Sequence, residues 1–233
     1  MRLQHKGLRW PSGRIFKALL QRRPVHVRHL PPRPLRRRPP VHSEGTRTAE
    51  PDQAPRFSVA FATLFNLLAD LARDLQLEAT AEYIPLGGEL DLNRDNLIVI
   101  CGPRLSPVVR QVLQSDPALS FDQDDDGRWL LQDRRTGLRY PSPSDLPQPR
   151  PADAGYLSRL TRPDGNGTFI LLTGIHAVGS HGIIDFLRRE LADLYEQVDL
   201  QPFSTLIATE YDPVTRQLVR SERITPLYHH QEP

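Results

Sequence analysis

The chain has 233 residues, 38% of them hydrophobic and 25% charged, which is enough for a sizeable core in one or two domains. No apolar run approaches the roughly 20 residues that cross a bilayer, so no membrane span is expected. The single cysteine, Cys101, excludes an internal disulfide. With no CxxC or HExxH spacing, the expectation is a cytoplasmic protein with no metal and no cofactor.

The net charge of +2 conceals two unlike halves. Residues 1–43 hold twelve Lys or Arg and no acid, leaving 18 basic against 28 acidic residues, a formal −10, for the rest. Residues 1–55 also carry nine prolines. Such a stretch buries too little apolar surface to offset its ordering entropy, so a disordered, polyproline-like tail is predicted over 1–55. Its charge suits weak nucleic-acid contact through residues 1–43. A single α/β domain is expected over 56–228 and a frayed tail over 229–233. All basic residues except Lys6 and Lys17 are arginine, a bias that points to a high-GC bacterial genome.

From Phe57 to Leu77, apolar residues at three-four spacing predict an amphipathic helix. Residues 79–86 suggest a short strand ending at Gly87-Gly88, and 89–96 a polar loop. Leu97 to Ile100 is a continuous apolar run suited to a strand buried on both faces. A helix from Ser106 follows, with Pro107 in its first turn, where the missing N–H costs little. Three short strands are expected at 118–122, 129–133 and 137–140, joined by Asp-Gly and Thr-Gly turns. The DQDDDG run at 122–127 lacks the EF-hand spacing and reads as a hairpin tip. A proline-rich loop over 141–151 is a candidate cover. An extended segment at 154–161, the turn signal PDGNG at 163–167 and a buried strand at 169–173 come next. A helix from Ser180 to Val198 and a hairpin of 203–212 with 216–224 complete the domain.

Two stretches share one plan: NLIVICGPRLSP and TFILLTGIHAVGSHG each run from buried strand through a glycine turn into a helix start. The first turn of a helix leaves N–H groups unpaired at the positive end of its dipole, which suits a phosphate or carboxylate. Gly102, Arg104 and Ser106 from the first turn, with Gly174, His176, Gly179, Ser180 and His181 from the second, are therefore the candidate ligand-binding residues. Ser180 is expected to cap its helix and the glycines to let backbone wrap a ligand. His176 is the candidate general acid or base. Cys101 reads first as a small buried hydrophobe and second as a nucleophile partnered by His176. Asp133, Ser142, Ser144, Asp145 and Asp185 are further polar candidates. Neither turn matches GxGxxG, the Walker pattern or GxSxG.

Residues 96–200, through those two turns, resemble the Toll/interleukin-receptor-like and nucleoside deoxyribosyltransferase-like α/β domains of bacterial regulatory and defence systems. The resemblance implies a nucleotide- or nucleoside-handling sensor or effector; no catalytic residue is carried over from it. The expected fold is α/β and three-layered, with a mostly parallel central sheet, a β-hairpin insertion and a C-terminal hairpin. The expected function is that of a sensor domain for a nucleotide or other anionic small molecule. The alternatives are a hydrolase or transferase using His176, and a nucleic-acid-associated protein using the basic arm.

Overall fold

The computed structural model describes residues 54–82, 84 and 89–230. The tail expected over 1–55 lies outside the described residues, apart from Ala54 and Pro55, which open the first helix. The elements in order are α1 (Ala54–Asp74), β1 (Ile98–Ile100), α2 (Pro107–Ser115), β2 (Leu119–Gln123), β3 (Trp129–Asp133) and β4 (Arg139–Pro141). A single 3-10 turn (Pro143–Asp145) leads into β5 (Ala152–Thr161), β6 (Thr168–Gly174), α3 (Ala177–Val198), β7 (Phe203–Tyr211), β8 (Leu218–Arg223) and β9 (Tyr228–His229). Residues 79–82 and 84 form no strand; the remainder of the strand expected at 79–86 lies outside the described residues.

Six strands make one mixed sheet in the order β1-β6-β5-β7-β8, with β9 also on β7. The sheet is not mostly parallel. Among the described residues only β1 and β6 pair in parallel, while β5–β6, β5–β7, β7–β8 and β7–β9 are antiparallel. The cause lies in the connections, because short turns such as 162–167 and 212–217 can join only antiparallel neighbours. The α3 crossover from β6 to β7 passes over β5, so β1, β6 and β7 run one way and β5, β8 and β9 the other. Strands β2, β3 and β4, the three short strands expected over 118–140, form a separate antiparallel meander in place of a hairpin insertion.

Each strand of the large sheet feeds two cores, because successive side chains point to opposite faces. Ile170 and Leu172 of β6, Leu157 of β5, and Phe203 and Ile207 of β7 pack with Ile183, Leu187 and Leu191 of α3 and with Leu64, Leu68 and Leu71 of α1. Phe169 and Leu171, with Tyr156 and Leu206, pack on the other face against Val109 and Leu113 of α2 and against Leu119, Phe121 and Leu131 of the meander. The layers are thus helices, sheet, and a mixed layer of α2 and meander. Each fully buried Leu or Ile contributes roughly 1.5–3 kcal/mol, so both faces of the sheet are strongly held.

The helix expected at 57–77 runs from 54 to 74, its carboxyl end turned by Gln76 at φ 59°. Tyr228 and His229, expected at the edge of a frayed tail, instead form β9 on Phe203 and Ser204. Tyr228 hydrogen-bonds Asp133 of the meander, and Arg135 stacks 4.8 Å over the Tyr228 ring. The C-terminal segment thereby ties the meander to the large sheet.

Candidate functional site

Strands β1 and β6 end side by side. Their register pairs Ile98 with Ile170 and Ile100 with Leu172, which brings Cys101-Gly102 beside Thr173-Gly174. From this point α2 leaves toward one face of the sheet and α3 toward the other. The two expected turns therefore lie side by side. Arg104 links them, its Nη2 donating to the Ile175 carbonyl at 2.6 Å, while the residue stays exposed.

The first turn is satisfied largely from within. Ser106, a candidate ligand contact in the sequence, is the N-cap of α2, its Oγ accepting from the Val109 N–H at 3.3 Å. Leu105 N–H donates to the Gly102 carbonyl at 3.1 Å, and Arg110 reaches the Pro103 carbonyl at 3.3 Å. At Gly102 an added Cβ would meet Thr173 Oγ1 at 3.4 Å, an ordinary contact.

The second turn is built differently from the sequence expectation. Helix α3 begins at Ala177, a turn earlier than expected, with His176 as N-cap and no capping bond from its side chain. Ser180 is therefore not the cap but a residue inside the helix. Its Oγ accepts from the Gly174 N–H at 2.8 Å, pinning the end of β6. The cap comes from another strand. Asp153 of β5 accepts through one carboxylate oxygen from the His176 N–H at 2.9 Å and the Gly179 N–H at 2.7 Å. A side-chain carboxylate thus already occupies the place where an anionic ligand was expected, and it answers the same dipole and donors. Asp153 is 2% exposed. Burial pushes its carboxyl up from the ordinary range, against the N–H bond from His176 and the His176 charge, which pull it down.

The glycines of the second turn serve close packing. A Cβ on Gly174 would overlap the His176 carbonyl oxygen and the Ser180 nitrogen. One on Gly179 would lie 2.6 Å from both the Ala154 carbonyl oxygen and Asp153 Oδ2. Gly182, where a Cβ would overlap the Thr209 hydroxyl, and Gly155, whose Cβ would meet Ile183 Cδ1 at 2.7 Å, complete the set. Four glycines thus let α3 lie against β5, β6 and β7 with backbone near backbone, the use that Gly has where a Cβ cannot fit.

His176 faces the loop proposed as a cover. Its Nε2 lies 2.8 and 2.9 Å from the two oxygens of Asp145, in the 3-10 turn of the 141–151 segment. With the Nε2 proton shared toward that carboxylate, the neutral ring carries its lone pair on Nδ1; this tautomer is assigned from the hydrogen-bond partner. Both side chains are about a third exposed, 38% for His176 and 30% for Asp145. Ser142 and Ser144 share a 2.8 Å hydroxyl contact beside them. The arrangement can move a proton at Nδ1 or present an imidazolium to an anion.

His181 is not brought to the same place. Five residues along a helix rotate it about 140° from His176. It lies half-buried near Asp185, and burial lowers its ring below the ordinary imidazole range although the Asp185 charge opposes this. Asp185 itself accepts from Ser221 and Arg189, binding α3 to the edge strand β8. Asp133 is a turn residue, accepting from the N–H groups of Arg135 and Thr136 at 2.9 and 3.2 Å and from Tyr228. Burial raises it, yet these bonds prevail and hold it below the ordinary carboxylate range. Cys101 is half-buried at the end of β1, and burial pushes its thiol up to about 11, so the thiolate is scarce at neutral pH. Among the described residues no group of three or more His, Cys, Asp or Glu gathers to hold a metal ion. No described helix is long and apolar enough to cross a membrane.

Asp153 is the residue that sequence reasoning missed. The only signal for it is the β5–β6 register: two residues beyond the Gly155–Gly174 pair, Asp153 falls opposite His176. An apolar cavity lies elsewhere, between α3, α1 and the sheet, lined by Leu68, Leu157, Leu172, Leu191 and Phe203, with Arg159 and Tyr195 also at its wall. Comparison with protein-family models, curated proteins and solved structures gives no match.

Proposed function

We propose that the domain binds a small anionic molecule, of the nucleotide or phosphorylated-metabolite class, in the crevice at the carboxyl ends of β1 and β6. The observation that carries this reading is the divergence of α2 and α3 from two adjacent parallel strands toward opposite faces. Open α/β sheets place ligands at such switch points, because the diverging connections leave a gap there. With the α3 N–H groups engaged by Asp153, charge recognition falls to Arg104 and His176. Arg104 offers a planar fork of donors, only one of which is directed to Ile175, and such a fork suits phosphate or carboxylate bidentately. The setting proposed is a bacterial regulatory or defence system, on the family resemblance and the arginine-rich composition.

A second reading is favoured by one contact. Asp145 on His176 Nε2 is the orienting group that a general acid or base uses, which supports a hydrolase or transferase acting on the same ligand, with Nδ1 as the reacting nitrogen.

Thermal unfolding against a panel of AMP, ADP, ribose 5-phosphate and inorganic phosphate tests the binding reading. A ligand that binds only the folded state at about 100 times its Kd adds about 2.7 kcal/mol of stability. At least one of these compounds is expected to raise Tm in the native protein and to lose most of that rise in Arg104→Ala and His176→Ala. A rise unchanged in both variants would place the anion outside the crevice.

A further inference from the structure

A largely enclosed histidine that the crevice does not use follows β9. It is His230, its backbone N–H donating to the Pro202 carbonyl at 2.9 Å. Its Nε2 is 3.0 Å from the Ser204 hydroxyl and 3.7 Å from Asp116 Oδ2. Its Nδ1 is buried with no hydrogen-bond partner, and the side chain is 11% exposed. Asp116 already accepts from the N–H groups of Ala118 and Leu119 at 2.7 and 3.0 Å and from the Tyr156 hydroxyl at 2.7 Å.

We infer that His230 makes the C-terminal segment, residues 224–230, an acid-released clasp between the large sheet and the meander. The neutral ring suits its seat, since it needs one partner at Nε2 and can leave Nδ1 as a bare lone pair. The imidazolium needs an acceptor for a second N–H, and the seat has none at Nδ1. The groups facing the ring from the packed elements divide. Asp116, between α2 and β2, favours the cation, while Arg135 of the β3–β4 turn and the adjacent His229 oppose it. Tyr156 of β5 donates its proton to Asp116 and so competes for that carboxylate. Burial outweighs Asp116 and lowers the ring below the ordinary imidazole range.

The detached segment therefore binds a proton more readily than the docked one, and acid favours detachment. Stability of the docked state is full above about pH 6.5, the ordinary imidazole value, and falls as pH drops from there toward the lowered value. Release would free Tyr228 from Asp133 and Arg135 and uncover the apolar face that the Tyr228 ring closes, beside Leu206 and Phe121. The clasp is thus a regulatory joint between two parts of the fold.

Hydrogen exchange of the full chain between pH 7.5 and 5, corrected for intrinsic exchange, tests this. Amide protection over residues 228–230 is expected to fall by about tenfold per pH unit below about 6.5, the change that one differential proton produces. His230→Gln should abolish that pH step, and His181→Gln should retain it. A step that persists in His230→Gln, or no step in the native protein, overturns the clasp. Should His230→Gln fold poorly, the ring signal of His230 in the native protein decides. Titration in the same window as the protection loss supports the clasp; titration with β9 protection unchanged overturns it.

Discussion

Gly182→Ala is expected to lower unfolding stability by about 3 kcal/mol, one of the two largest effects of single substitutions in this protein. A Cβ there overlaps the Thr209 hydroxyl and stands 2.5 Å from Cγ2 and 2.7 Å from Cβ of the same side chain. Thr209 is fully buried in β7 between β5 and β8, and its β-branched side chain has few rotamers to escape into. Helix α3 must then lift from the sheet, and overpacking of this kind typically costs about 1–3 kcal/mol or more. Denaturant unfolding of Gly182→Ala, Thr209→Ala and the double variant measures the coupling. Thr209→Ala removes both the hydroxyl and the methyl that collide, so the double variant is expected to recover at least half of the loss. Gly182→Ala as stable as the native protein would show that α3 does not lie as close to β7 as described.

Asp153→Ala is the second large effect, expected at about 2–4 kcal/mol. The substitution leaves the His176 and Gly179 N–H groups buried without a partner, each an unmet donor costing about 1–3 kcal/mol. It also removes the negative end that faces the α3 dipole. Asp153→Asn keeps an acceptor without the buried charge and is expected to lose less. The pH dependence separates the roles. Because burial raises the Asp153 carboxyl, the folded state holds its proton more tightly than the unfolded chain. The native protein should therefore gain on Asp153→Asn as pH falls from neutral toward the ordinary carboxylate range, near 4. A gap that widens in the opposite direction would mean that the N–H donors outweigh burial and that the carboxylate is held charged.

How much of this was legible in the sequence depends on where each determinant lies. Helix α1, the buried β1 and β6, α2 with Pro107 in its first turn, and the β7–β8 hairpin follow from periodicity and turn signals within a few residues of each element. Strand β5 is legible only as an extended segment at 154–161, because its buried positions include Asp153, Ser158 and Arg159, and polar residues inside break the alternation that marks a strand. Its central place in the sheet, between β6 and β7, is a matter of tertiary pairing. Strand direction was misjudged for the same reason: strand-to-helix turns suggested parallel neighbours, while β5 entered between β6 and β7 in the opposite sense.

The site was half legible. The two turns do meet, and His176 with Asp145 and Arg104 can be named from sequence. Ser180 stands where a serine often begins a helix; the true cap is Asp153, 23 residues upstream of the His176 N–H it accepts. The glycines of GIHAVGSHG read as backbone made free for a ligand, whereas Gly174, Gly179 and Gly182 make room for α3 against the sheet. A glycine spacing states that something comes close; only the structure says whether that is a ligand or the protein's own backbone.

The proposed site for a small anion is the crevice between the β1 and β6 turns. Backbone amide NMR of the full chain, titrated with ADP or ribose 5-phosphate, tests it most directly. Saturable shifts are expected at Arg104, Leu105, Ile175, His176 and Asp145, and they should vanish in Arg104→Ala. Shifts confined to other parts of the sheet, or none with either compound, would contradict it.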